Sequence, residues 1–168
     1  IKKFNLTEDD LPYFRTLHSL AFQRLGIKKE NVMQRSHYKD LGDKIGFPVN
    51  YAMYEDDHSG RFTTDSEYLK IINLARLRNI TPERQYDLSE HNGDLERDKL
   101  NIIANEIQRY KKEYNLIDFN DMITDFTKSA KCPKFDVVFI DEAQDLSLMQ
   151  WDMAKTLWNN TEDSFVAG

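Results

Sequence analysis

Apolar residues recur at helical spacing in several stretches of the chain. The clearest stretch spans Tyr68 to Ala75 and follows Thr64-Asp65-Ser66-Glu67, in which Thr64 and Glu67 have the spacing of a capping box. A longer amphipathic stripe runs from about Leu95 to Tyr114, and most charged side chains lie off this stripe. We predict a helix over each of the two stretches.

Two more helices are predicted closer to the end of the sequence. Asp118 or Asn120 can cap the first of them, since either side chain can accept a hydrogen bond from a free backbone N–H. Ser147 and Gln150 have capping-box spacing at the start of the second. Both helices are expected to pack on a sheet.

Strand signals lie near the two ends of the chain. Residues 135–140, Phe-Asp-Val-Val-Phe-Ile, form an apolar run after Pro133, a pattern typical of a strand buried on both faces of a parallel sheet. The run from Ser164 to Ala167 is its predicted neighbour. A third short strand is predicted over Tyr13 to Thr16, and it leads into a helix that ends at Gly26.

The middle of the chain has a different character. From about Lys28 to Asn92 it is polar and carries turn residues, as at Gly46-Phe47-Pro48. Because the strands are confined to the ends, we predict an α/β fold with two units. Residues 1–27 and 115–168 would build the unit with the sheet, and residues 28–114 would form an inserted, mainly helical subdomain.

Composition narrows the class of protein. With 168 residues, 40% of them hydrophobic and 31% charged, the chain can build a sizeable core, and its net charge of -6 is spread without an acidic block. One cysteine, Cys132, and four scattered histidines disfavour a disulfide or a structural metal site. No apolar run is long enough to cross a bilayer and the first residues are no secretion signal, so we expect a cytoplasmic protein without a membrane partner. Because the chain starts at Ile1 and stops after an apolar run, we also expect a fragment of a longer protein. We expect this fragment to be monomeric.

Carboxylates directly follow the predicted strand, in the order Asp141-Glu142-Ala143-Gln144-Asp145. In an open parallel sheet, ligands lie outside the carboxyl ends of the strands, so Asp141 and Glu142 would face a bound nucleotide. Asp141 could then hold Mg²⁺, and Glu142 could orient and deprotonate an attacking water. The alternative interpretation is that these acids only complement the positive end of the following helix.

Residues 137–147, Val-Val-Phe-Ile-Asp-Glu-Ala-Gln-Asp-Leu-Ser, resemble the Walker B segment of superfamily-one helicases of the UvrD/Rep type. The resemblance implies a partial RecA-like parallel sheet, with the inserted region corresponding to subdomain 1B of that family. It also implies that Asp141 holds the metal, that Glu142 is catalytic, and that Gln144 and Asp145 link the nucleotide to neighbouring motifs. The implied cofactors are ATP and Mg²⁺, and the implied partners are single-stranded and duplex DNA.

A second segment carries the same resemblance. Residues 15–22, Arg-Thr-Leu-His-Ser-Leu-Ala-Phe, are similar to the family's Thr-x-His-Ser segment, which approaches single-stranded DNA. The resemblance implies DNA contacts by Thr16, His18, Ser19 and Phe22. Hydroxyl groups, an imidazole and free N–H groups at a helix start can all hydrogen-bond phosphate. From the residues alone, helix capping and a buried His18 are the simpler interpretation.

Two further segments are similar to the same family. Residues 116–123 resemble its Asp-Phe-x-Asp-Leu segment, although capping and packing explain these residues fully. The final Phe165-Val166-Ala167-Gly168 resembles the strand that enters the family's next motif.

One family element is missing from the sequence. No Gly-x-x-x-x-Gly-Lys-Ser/Thr string occurs in the 168 residues, so the loop that cradles the β- and γ-phosphates is not among them. We therefore expect an internal piece of an ATP-dependent DNA helicase that does not hydrolyse ATP alone. Two alternatives stay open: a metal-dependent nuclease that uses Asp141, Glu142 and Asp145, and a helicase-derived DNA-binding module without motor activity.

Overall fold

A computed structural model of the protein describes residues 11–49, 52–53, 62–64, 66–90 and 95–168, with backbone only at 52–53 and 62–63. Parts of both predicted units therefore lie outside the described residues, as does Asp65 of the predicted capping box. The helices and strands follow one another in the order α1 Leu17–Leu25, α2 Arg35–Ile45, β1 Ala52–Met53, β2 Phe62–Thr63, α3 Glu67–Leu77, α4 Pro82–Leu88, α5 Arg97–Glu113, α6 Phe119–Lys128, β3 Phe135–Ile140, α7 Leu148–Trp158 and β4 Thr161–Val166.

A parallel pair of strands confirms the predicted α/β class. β3 and β4 pair in parallel, with Phe135 opposite Thr161 and Ile140 opposite Val166. Helix α7 connects the two strands and packs on one face of the pair, where Ile140 lies in a small apolar cluster with Ala154. A separate pair, β1 and β2, is antiparallel.

The other face of the parallel pair is open, which differs from the predicted burial on both faces. Val137 is 43% exposed, Phe139 76% and Phe165 56%, and the rings of Phe139 and Phe165 stack with their centroids 5.0 Å apart. A continuous apolar run indicates two covered faces only where a second layer is present. In the part of the chain that the structure describes, α7 and its neighbouring helices supply one layer.

The short strand predicted over Tyr13 to Thr16 is wrong. The Phe14 N–H donates to the Leu11 carbonyl at 3.1 Å, which closes a turn with Pro12 at its second position. Proline favours that position because its φ is already fixed near the turn value. Thr16 is the N-cap of α1, and its hydroxyl accepts from Ser19 N–H. Turn and cap chemistry thus override the strand propensity of the two aromatic residues.

Local capping signals locate most helix starts correctly. Asp118 caps α6 and Ser147 caps α7, and both helices have a complete capping box. For α3 the predicted cap is displaced by two residues, because Ser66 accepts from Leu69 N–H while Thr64 accepts from Ser66 N–H. Among the residues described, none of the helices combines the length and the apolar character that crossing a membrane requires.

Two apolar clusters make up most of the core. The first is formed mainly by α2, α3 and α5, and its buried members are Met33, Tyr38, Leu41, Val49, Leu69, Ile71, Ile72, Leu100, Ile103, Ile107 and Tyr110. The second is formed by α1, α6 and α7, and its buried members are Leu20, Ala21, Met122, Ile123, Phe126, Met149, Met153 and Leu157. Helix α3 contributes to the first cluster and also contacts α6 and α7.

The chain segments that follow α1 and precede α6 lie side by side. Met33 N–H donates to the Ile117 carbonyl at 2.9 Å, and Ile117 N–H donates to the Asn31 carbonyl at 2.8 Å. The side-chain amide of Asn31 also donates to the Asn115 carbonyl at 2.8 Å. These bonds bring the two predicted unit boundaries together, although the division into 1–27 with 115–168 and 28–114 stays a prediction.

Candidate functional site

Asp141 and Glu142 lie where β3 ends, and both side chains are exposed. The strand places them there because its last residue, Ile140, is buried against α7 and pairs with Val166 of β4. The Asp141 carboxylate accepts a hydrogen bond from Glu142 N–H at 3.0 Å, which orients the carboxylate through one of its oxygens. An exposed carboxylate of this kind can bind a hard cation such as Mg²⁺ together with phosphate oxygens and water.

Glu142 adopts a left-handed backbone conformation, with φ 52° and ψ 40°. The other described non-glycine residues with positive φ are Asn79 and Asn115, and asparagine tolerates this region far better than glutamate does. For glutamate the conformation costs on the order of 1 kcal/mol. Such strain concentrates at functional positions, because the surrounding structure must hold the residue there.

The neighbouring residues hold this turn in place. The Gln144 amide donates to a carboxylate oxygen of Glu142 at 2.6 Å, and Asp145 N–H donates to the Glu142 carbonyl at 3.0 Å. From the end of β4, the Ala167 carbonyl accepts from Ala143 N–H at 2.9 Å. A Cβ added to Gly168 would lie 3.0 Å from the backbone N of Gln144, so this position favours glycine. The turn therefore has one defined conformation, with an oriented Glu142 carboxylate.

These acids do not cap the helix that follows them. Helix α7 begins at Leu148, where the Ser147 hydroxyl accepts from Gln150 N–H and the Gln150 side chain accepts from Ser147 N–H. Asp141 and Glu142 precede the first residue of α7 by seven and six residues, beyond the first turn within which an acid complements the positive end of a helix. Both carboxylates remain available to a ligand at the end of β3.

The segment from Thr16 to Phe22 lies on a different element, the start of α1. Thr16 and Ser19 are exposed and joined by the cap hydrogen bond of 3.2 Å, while Phe22 is half-buried against the second apolar cluster. Helix α7, which follows the acidic turn, contacts α1. The acidic turn therefore leads into a helix that contacts α1, while the predicted DNA-contacting residues lie on α1 itself.

His18 is buried, with 8% of its surface exposed, and its ring packs on Phe119 with the centroids 5.6 Å apart. Burial lowers the pKa of His18 from 6.5 to about 4. At neutral pH the imidazole is therefore uncharged. It can offer a hydrogen bond to a ligand but adds no positive charge.

His18 should make the protein sensitive to mild acid. Its folded-state pKa is depressed, so its contribution to folding is complete above pH 6.5 and is lost as the pH falls toward about 4. A shift of this size corresponds to roughly 3 kcal/mol of stability at the acid end. We expect His18→Gln to flatten this part of the pH profile, measured as the free energy of urea unfolding between pH 7 and pH 4. A wild-type slope equal to that of the variant would contradict the assignment.

The strained turn predicts an unusual order of stability at Glu142. Glu142→Gly should be about 1 kcal/mol more stable to urea than Glu142→Ala, because alanine keeps the Cβ that disfavours positive φ. Lys155 is the matched control, since it is exposed in the middle of α7. There the order should reverse, with alanine better than glycine by about 1 kcal/mol. The same order at both positions would show that Glu142 is not strained.

A buried cluster of charges that the sequence did not predict joins three helices. Its members are Arg76 on α3, Lys111 on α5, and Asp118 and Asp121 at the start of α6. Arg76 donates to Asp118 at 2.6 Å and to Asp121 at 2.5 Å, and Lys111 donates to each carboxylate at 2.7 Å. Burial alone would raise the pKa of Asp118, but the charges of Arg76 and Lys111 hold it well below its usual range. The two carboxylates in turn raise the pKa of Arg76, although burial opposes them.

A signal for this cluster was present in the sequence. Lys111 lies four residues after Ile107, on the stripe that α5 buries, and Arg76 lies four residues after the buried Ile72. A base on a buried stripe needs a buried acid as its partner.

Comparison with known proteins identifies the family. A family model described as the UvrD/REP helicase N-terminal domain matches residues 3–168, nearly the whole chain. The chain belongs to this family, and its architecture is a partial RecA-like α/β fold. Searches of curated proteins and of solved structures found no match.

The nuclease alternative gains no support from the geometry. In the part of the chain that is described, no group of three or more His, Cys, Asp or Glu side chains is arranged to hold a metal ion. Two-metal hydrolysis requires several acids that converge on the metals. One or two carboxylates together with phosphate oxygens are instead the usual ligands of a magnesium ion at a nucleotide site.

Proposed function

We propose that this chain is part of an ATP-dependent DNA helicase that couples hydrolysis of Mg-ATP to translocation on single-stranded DNA and to duplex unwinding. The observation that carries the proposal is the exposed Asp141-Glu142 pair at the end of β3, held by its turn and not used in helix capping. Membership of the UvrD/REP family supports the same function.

Asp141 would bind the magnesium ion that arrives with the ATP phosphates. Its carboxylate is exposed, follows the strand directly and is oriented by Glu142 N–H. The bound cation would neutralise the charge that develops on the phosphates during hydrolysis.

Glu142 would orient the attacking water and accept its proton. The hydrogen bond from Gln144 holds one carboxylate oxygen at 2.6 Å, and the other oxygen would accept the proton. Gln144 and Asp145, which both bond to Glu142, would pass changes at the nucleotide to the end of β4 through the bond between Ala143 and Ala167. No phosphate-binding loop is among these residues, so the intact protein would supply that contact from elsewhere.

The start of α1 would contact one DNA strand. Thr16 and Ser19 present exposed hydroxyls beside the free N–H groups of the first helical turn, and such groups bind phosphate well. The neutral His18 and the half-buried Phe22 would hold this surface in position by packing beneath it. Residues 28–114 would form the inserted helical subdomain, a division that the two separate apolar clusters support.

The test is phosphate release by the complete gene product, measured with Mg²⁺ and ATP in the presence and absence of an oligo(dT) strand. We expect the strand to stimulate hydrolysis and ATP to drive displacement of one strand from a tailed duplex. Asp141→Ala should abolish both activities while the protein remains folded. Cutting of DNA that needs Mg²⁺ but no ATP would favour a nuclease, and DNA binding without ATP turnover would favour a module without a motor.

A further inference from the structure

The buried charge cluster lies between the predicted helical subdomain and the sheet-containing unit. Arg76 and Lys111 belong to helices α3 and α5, whereas Asp118 and Asp121 are the cap and third residue of α6. Only 5% of the Lys111 side chain and 10% of the Asp118 side chain are exposed. The cluster therefore crosses the interface where the chain returns from α5 to α6.

Each member of the cluster has at least two hydrogen-bond partners within it. Each base bonds both carboxylates, and the carboxylates also bond each other's backbone, from Asp121 N–H to Asp118 at 2.8 Å and from Asp118 N–H to Asp121 at 3.0 Å. Two acids and two bases leave no net charge. The cost of removing these charges from water offsets much of their mutual attraction. Such a cluster therefore contributes a fixed geometry more than net stability.

The charge cluster is connected to the start of α1 by a short series of contacts. Asp118 precedes Phe119, and the Phe119 ring packs on His18 in the first turn of α1. His18 lies between Thr16 and Ser19, the two exposed hydroxyl residues of that turn. The contact between α1 and α6 is among the most extensive between helices. A shift of Asp118 would therefore move Phe119 and, through His18, the exposed end of α1.

A second polar contact follows the same helix face. Asn73, one turn before Arg76 on α3, accepts from the Asn120 side chain of α6 at 3.1 Å, and both residues are buried. Asn79, two residues after the end of α3, donates to Asp152 of α7 at 2.6 Å. Helix α3 thus holds α6 and α7 by paired polar groups, which fix position more strictly than apolar packing does.

We propose that Arg76, Lys111, Asp118 and Asp121 form a charge clamp that positions the DNA-contacting start of α1, acting through Phe119 and His18. The clamp joins the helical subdomain to the DNA contact, so that movement of α3 and α5 changes the grip on the strand. Its DNA part rests on the proposed function, whereas its effect on the position of α1 does not.

Arg76→Lys is the variant that tests the clamp. Lysine keeps the charge, but its single nitrogen cannot reproduce the planar geometry in which two separate guanidinium nitrogens each bond a different carboxylate. We expect the oligo(dT) dissociation constant to rise at least about fivefold, the low end of usual coupling between sites. Turnover without DNA and the KM for ATP should stay unchanged. Hydrogen exchange of the peptide covering residues 16–22 should become faster.

Arg109→Lys is the matched control, since Arg109 pairs with Glu106 on its own helix and is 72% exposed. It should match the wild type in every measurement. Unchanged exchange in residues 16–22 of Arg76→Lys would overturn the clamp, and so would an equal loss of DNA-free and DNA-stimulated turnover. The proposed function fails separately, if the wild-type protein shows no DNA-stimulated turnover. Faster exchange in Arg76→Lys would then still support the positioning of α1.

Discussion

Glu142→Gln in the complete gene product is expected to lower DNA-stimulated ATP turnover at least about tenfold, the scale of general-base contributions. Glutamine has the same shape and can still accept the hydrogen bond from Gln144, so the turn should keep its conformation. The amide cannot take a proton from water. ATP binding should persist, because we propose that it depends on Asp141 and on the phosphate contacts rather than on Glu142.

Two measurements together check this expectation. Phosphate release with saturating oligo(dT) reports turnover, and titration with a fluorescent ATP analogue reports binding. Glu162→Gln makes the same chemical change at an exposed position on β4 and should leave both values unaltered. Wild-type turnover in Glu142→Gln would remove Glu142 from the reaction, and loss of analogue binding would assign it to nucleotide contact instead.

Asp118→Ala should produce the largest change in stability, a loss of about 3 to 5 kcal/mol in the free energy of unfolding. The substitution leaves Arg76 and Lys111 buried with one carboxylate between them. It also removes the cap of α6, a smaller loss of about 1 kcal/mol. Because the pKa of Asp118 is depressed, its contribution is complete above pH 4 and disappears only in stronger acid.

Asp118→Asn separates the two causes, because asparagine caps helices well but carries no charge. In urea unfolding at pH 7, Asp118→Asn should lower the free energy of unfolding by most of the amount that Asp118→Ala does. Asp87→Ala is the control for an exposed pair, since Asp87 bonds Arg97 and both side chains are largely in solvent. That change should cost less than about 1 kcal/mol. Near wild-type stability of Asp118→Asn would mean that Asp118 acts only as a cap.

The sequence predicted those features that short-range chemistry decides. Ser147 and Asp118, the latter as one of two candidates with Asn120, were predictable as helix caps because the cap and its donor lie three residues apart. The pairing of β3 with β4 followed from two apolar runs joined by one helix, a connection that favours parallel strands. The position of Asp141 and Glu142 at the end of β3 followed from the same reasoning.

Features that depend on distant partners were not predictable in the same way. The acid partners of Arg76 lie 42 and 45 residues along the chain, so its neighbours in sequence gave no sign of them. The open face of β3 depends on which elements pack there, not on the strand's own residues. The positive φ of Glu142 arises from the bonds that Gln144 and Asp145 make around it, because glutamate itself disfavours that conformation.

Two backbone hydrogen bonds between residues 31–33 and residue 117 join the two ends of the segment from Gln34 to Leu116. The entropic cost of bringing the ends of such a segment together grows only slowly with its length. The length of this segment can therefore vary at its exposed turns, provided that the replacement keeps bases equivalent to Arg76 and Lys111, because these bases hold Asp118 and Asp121 of α6. A chimaera that carries a relative's segment between these two joints is therefore a practical starting point for redesign.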